Sequence, residues 1–169
     1  MSSDPIREAI EAASAYLTAH PEDARYRDGY ARARLADRLA VDVEGPGDER
    51  LRTDMPRGIG GTAQAPSPGW HFRAATASCV ATLIGIRAAS LGIELGPVEV
   101  VVDSESDDRG ILGLDDEIPA GPLSVRIAVT IKAAAQEEAL LKALVQWAVD
   151  HCPITDGLRR AVPLEVVLG

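Results

Sequence analysis

The chain has 169 residues, 46% apolar and 25% charged, which suits one globular domain with or without a terminal extension and is long enough to bury a core. With 26 acidic residues against 17 basic ones its surface repels duplex nucleic acid and anionic membranes, so neither a nucleic acid nor a membrane is expected as a partner. No stretch of 18 apolar residues is available to span a bilayer, and the N-terminus MSSDPIREAIEAA lacks the basic start and apolar stretch of a secretory signal, so a cytoplasmic location is expected. Thiols stay reduced there, so Cys79 and Cys152 read as core residues or as reactive groups rather than as a structural staple.

Residues 4–19 predict a helix with Asp4 as cap, Pro5 at the first helical position, and Ile6, Ile10, Ala13 and Leu17 along one stripe. His20-Pro21 ends it. This extension is expected to pack on the domain surface or on a partner subunit. Residues 32–54 alternate weakly. Leu39, Val41 and Val43 share a strand face, residues 44–48 form a turn, and residues 50–53 return as the second strand of a hairpin. Residues 55–69 hold three prolines and four glycines and predict an ordered loop or linker. The group Gly58, Gly60 and Gly61 lacks the lysine and the strand-to-helix setting of a phosphate loop, and reads as loop geometry.

Residues 70–91 predict a helix that is apolar nearly all round and hence buried on every face, with Gly92 as its C-cap. A strand over 98–102 and a polar loop over 104–110 follow. Leu123, Val125, Ile127, Val129 and Ile131 alternate with Ser124, Arg126, Ala128 and Thr130, a clear strand. Residues 134–151 predict a second long helix broken by Pro153, and residues 162–168 a closing strand. Strands and helices do not alternate strictly, so the fold class is α+β.

Cys79 lies inside the first long helix and Cys152 at the end of the second. Either alone reads as a small hydrophobe. If the two helices pack together, the thiols can meet. Peroxide chemistry then becomes available: one thiolate attacks the peroxide oxygen and the sulfenic acid condenses with the other thiol. Such a site needs something to favour the thiolate. His71 and His151 lie near the cysteines in sequence, but the spacings match no zinc motif, and His151 suits the last turn of its helix. No cofactor is expected. The acidic cluster Ser104, Glu105, Asp107 and Asp108 reads as a solvated turn. Trp70, Phe72 and Trp147 read as core residues or as the lining of an apolar substrate pocket.

The segment TDMPRGIGGTAQAPSPGWHFRAATASC, residues 53–79, resembles the stretch of the OsmC/Ohr family in which a glycine pair and a proline precede the helix bearing the first cysteine. The segment DHCPITDGLRRAVPLEVVL, residues 150–168, resembles that family's second-cysteine motif and final strand. The resemblance implies an OsmC-like domain over residues 31–169 behind an N-terminal helical extension, residues 1–30. It implies antiparallel sheets around two long central helices in an intertwined homodimer. It also implies a peroxidase that reduces organic hydroperoxides, with Cys79 peroxidatic, Cys152 resolving, and a thiol or dithiol as reductant. An arginine from the N-terminal strands, Arg34 or Arg38, is expected to support the thiolate, with Arg32 less favoured. The family's glutamate follows the proline ten residues before the first cysteine, and here Pro68 is followed by Gly69. That departure leaves a second reading open: a non-catalytic stress or small-molecule-binding protein with an apolar dimer cleft.

Overall fold

The structure, a computed structural model, describes residues 4–132 and 137–169. The capping role read for the Asp4 side chain and residues 134–136 of the predicted second helix fall outside what it describes. The chain divides into two compact units, one of Ser14–Ala74 and one that joins Ala75–Gly169 to the first turns of α1. α1 spans Asp4–Ala19 as its apolar stripe predicts. Most of that stripe stays exposed, however, with only Ile10 half-buried among Ile6, Ile10, Ala13 and Leu17.

In the first unit, β1 (Arg32–Leu35), β2 (Val41–Glu44) and β3 (Arg50–Thr53) form an antiparallel meander in that order. The expected hairpin is therefore β2–β3, and β1 adds a third strand. Leu39 is not on a strand face. It lies in the β1–β2 turn, where Arg38 takes a positive φ of 54°. The register places Ala33, Leu35, Val41, Val43, Leu51 and Thr53 on one face and the charged Arg32, Arg34, Asp42, Glu44, Arg50 and Arg52 on the other. Cross-strand ion pairs of Arg34 with Glu44 (2.8 Å) and Arg52 with Asp42 (3.0 Å) lace the charged face.

The loop after β3 is ordered by Asp54. This carboxylate is almost wholly buried and accepts from the Thr62 hydroxyl (2.5 Å) and from the backbone N–H groups of Met55 (2.7 Å), Thr62 (3.1 Å) and Gln64 (3.1 Å). Those donors hold its pKa down to about 2, the Thr62 hydroxyl first and the Gln64 N–H next, against the opposing effect of burial. Within the loop, Gly61 tolerates no side chain, because a Cβ there would lie 1.9 Å from the Met55 carbonyl oxygen.

α2 runs Pro68–Ser90 and begins two residues before the predicted start. Ser67 caps it through its Oγ, which accepts from the Trp70 N–H (3.2 Å), and Pro68 occupies the first helical position. Gly92 ends it with φ 67°, while the Ile93 N–H returns to the Ala88 carbonyl (2.9 Å), closing the last turn as expected. The expectation of burial on every face is corrected. Within the chain α2 buries one stripe, Thr76, Val80, Ile84 and Ala88 with Ala89, spaced by single turns. Its other apolar residues remain part-exposed, because one layer of neighbours covers one face of a helix.

In the second unit, β4 (Val98–Glu105) and β5 (Ser124–Ile131) pair antiparallel. Val98, Val100, Ile127, Val129 and Ile131 turn towards the core cluster of Val80, Ile84, Ala88, Ile93, Leu144, Ala148 and Cys152. Burying each of the large aliphatic members contributes about 1.5–3 kcal/mol. The predicted polar loop over 104–110 is corrected: Ser104 and Glu105 extend β4, and Asp107 caps a short helix, α3 (Asp108–Ile111), by accepting from the Arg109 N–H (3.0 Å). α4 spans Glu138–His151 and α5 spans Pro153–Arg159. The predicted closing strand over 162–168 is not formed. That segment pairs with nothing among the described strands and leaves Leu164 and Leu168 fully solvent-facing. Period-two alternation sets a strand's faces, but a strand also needs a ladder partner.

Candidate functional site

The second unit brings Cys79 and Cys152 together. Cys79 projects from the middle of α2 and is half-buried, while Cys152 is completely buried. Local chemistry sets Cys152 in place. Pro153 disfavours the helical region for the residue before it, so Cys152 turns extended (φ −75°, ψ 120°) and ends α4. Pro153 then starts α5, for which Cys152 is the N-cap residue, its carbonyl accepting from the Asp156 N–H (2.9 Å). The Thr155 hydroxyl lies against the Cys152 carbonyl (3.0 Å) and that of Val149, tying the α4–α5 corner.

Cys152 is a buried member of the core cluster and Cys79 packs against that cluster, so each thiol acts on the other's ionisation. Burial first, then the hydrogen bond and charge of Cys152, push the Cys79 thiol up to about 11, with the Ile154 N–H acting in the opposite sense. Burial also opposes ionisation of Cys152. The hydrogen bond from Cys79 outweighs it, together with the N–H groups of Thr155 and Ile154 and the Thr155 hydroxyl, and the Cys152 thiol is lowered. The protons of such a pair belong to the pair, with Cys79 the more reluctant member to ionise. None of the groups that favour Cys152 was readable beforehand except through Cys-Pro, whose proline marks a helix start as well as a helix end.

The other predicted site residues are distributed over both units. Arg34 is held in its ion pair with Glu44 and Arg38 sits in the β1–β2 turn, while Arg32 also reaches Glu44 (3.3 Å) and stacks over the Tyr30 ring. Trp70 and Phe72 lie in the first turns of α2, Trp70 edge-on to His71 and about half exposed. Trp147 lies on α4, stacked on His151 at 4.1 Å with the Arg87 guanidinium 4.9 Å from its ring centre. His151 Nδ1 lies 2.8 Å from the Trp147 carbonyl oxygen, an acceptor only, so that nitrogen carries the proton. Gly69 has room for a side chain: a Cβ would meet Arg73 at 3.7 Å and Ser67 at 3.9 Å.

The second unit is a mixed α+β unit whose two cysteines, Cys79 on α2 and Cys152 at the α4–α5 corner, meet one core cluster. The family described as OsmC-like protein matches residues 61–167, and the chain belongs to that family. No curated protein sequence matches it. Among solved structures the chain is similar to an organic hydroperoxide resistance protein from Legionella pneumophila, with 23% identity, TM-score 0.60, and coverage of 80% of this chain and 91% of that one. It is similar to another from Elizabethkingia anophelis (20%, TM-score 0.63, coverage 80% and 90%). An OsmC-like protein from Mycoplasma pneumoniae superposes with TM-score 0.67 at 15% identity, covering 80% of this chain and 89% of that one. At these identities the likeness carries the fold.

Proposed function

We propose that the protein is a thiol peroxidase that reduces organic hydroperoxides. The observation that carries this reading is that two free thiols of unequal exposure meet at one apolar cluster, Cys152 buried within it and Cys79 packed against it. Cys79, the part-exposed member, attacks the distal peroxide oxygen, the O–O bond breaks, and an alcohol leaves. Cys152 attacks the resulting sulfenic acid, water leaves, and a disulfide remains for an external thiol or dithiol to reduce. The apolar cluster around the pair, with Val80, Ile84 and Leu144, favours alkyl hydroperoxides over hydrogen peroxide. The part-exposed apolar faces of α2 support a homodimer in which a second copy covers them.

One equivalent of cumene hydroperoxide is expected to remove both free thiols and to link Cys79 to Cys152, read by peptide mass spectrometry after alkylation. Retention of both thiols sinks the reading. A second reading, a binding protein without turnover, is favoured by Gly69 at the glutamate position and by the high pKa of Cys79, which leaves that thiol protonated at neutral pH.

A further inference from the structure

The charged face of the β1–β3 meander runs against the balance of the whole chain. The molecule carries 26 acidic and 17 basic residues, yet this face presents Arg32, Arg34, Arg50 and Arg52 against only Asp42 and Glu44. Strand alternation gathers them: in each strand the charged positions are two apart and so share a side. The register then sets two rows, Arg34–Asp42–Arg52 and Arg32–Glu44–Arg50, with each acid on the central strand and an arginine on either side of it.

Two carboxylates do not satisfy four guanidiniums. Glu44 takes Arg34 (2.8 Å) and Arg32 (3.3 Å), and Asp42 takes Arg52 (3.0 Å). Each of these pairs runs through a single guanidinium nitrogen, although a guanidinium has five N–H donors. Arg50, in register with Glu44, enters no ion pair among the described residues. Its chain neighbour Glu49 is engaged in the β2–β3 turn, where it accepts from the Gly47 N–H (2.8 Å). Arg34 and Arg52 keep 60% and 49% of their side-chain surface open. Together with Arg50, Asp42 and Glu44 they line one concavity of about 500 Å³. A face charged only for solubility is served as well by lysine, and here all four cations are arginine.

We propose that this face binds a small molecule through a phosphate group, with Arg34, Arg50 and Arg52 as the donors. Planar guanidinium forks match phosphate oxygens two at a time, and a tetrahedral phosphate offers oxygens to forks that arrive from both sides of β2. The exposed pairs with Asp42 and Glu44 are individually weak, so they hold the arginines at the concavity and yield them to a stronger anion. Nothing in this depends on peroxide reduction by the thiols.

The probe is inorganic pyrophosphate, titrated into the full-length protein at low ionic strength and followed by isothermal calorimetry. One saturable site per chain is expected, with a dissociation constant of about 1 mM or tighter. Arg50→Gln removes the guanidinium that no carboxylate holds and is expected to weaken binding about tenfold. Glu44→Gln removes a competing carboxylate and is expected to strengthen binding about threefold, a gain that misfolding does not produce. Arg109→Gln, in the other unit and paired there with Asp107, is expected to bind like the native protein. Absence of saturable heat, equal affinity in native protein and Arg50→Gln, or weaker binding in Glu44→Gln overturns the proposal. So does citrate bound as tightly as pyrophosphate, which would make the face a general anion surface rather than a phosphate site.

Discussion

At the residue scale the protein separates exposure from acidity. The part-exposed thiol, Cys79, is the one pushed up, and the thiol that is lowered, Cys152, is sealed in the core. The buried carboxylate of Asp54 has a structural task in the other unit: its four donors all belong to the loop that leads from β3. Because its folded pKa of about 2 lies below the ordinary value, its contribution to stability is complete above about pH 4 and fades as pH falls through the folded value. Asp54→Asn is expected to lower the melting temperature at pH 7 by several degrees, with the gap to native shrinking between pH 4 and pH 2 in a circular-dichroism series. A gap that does not depend on pH would show that the charge is not what orders the loop. Cys79 and Cys152 were legible as a pair from their placement on two long helices and from the family resemblance. Asp54 was not, because three of its four donors, on Thr62 and Gln64, lie 8 and 10 residues away in a loop without periodicity.

At the scale of elements, the long helices and β5 were legible because burial leaves a pattern: a 3.6-residue period on α4, a continuous apolar run on α2, and a period of two on β5. The misses have separate causes. Ser67-Pro68 is a cap followed by an N1 proline and marks the true start of α2, whereas the apolar pattern begins only later. Cys152-Pro153 carries the same kind of signal for α5 but reads first as a helix breaker. Residues 162–168 alternate like a strand, yet a ladder depends on a neighbouring backbone that the segment's own residues do not specify. The start of α2 is also where an acidic side chain would be favoured. Gly69→Glu has space for its Cβ and places negative charge in the first turn, so it is expected to stabilise the protein by about 0.3–1 kcal/mol in urea unfolding. A lowered urea midpoint would mean that the glycine is required there for its backbone.

At the scale of the whole molecule, the α+β class follows from the order of elements, and membership of the OsmC-like family from the match over residues 61–167. Composition bounded the class without indicating chemistry, since an acidic surface and an aliphatic core serve many functions. The proposed chemistry lies in two sulfurs and the α4–α5 corner that holds one of them. The apolar side chains left part-exposed on α2 are where a second copy is proposed to bind, and whether that face closes says nothing about whether the thiols react. The most direct test of the central claim is steady consumption of cumene hydroperoxide with excess dithiol by native protein and by Cys79→Ser. The account predicts turnover above the dithiol background in the native protein, greater with cumene hydroperoxide than with hydrogen peroxide, and none in Cys79→Ser. Background rates in both, or equal rates in both, would contradict it.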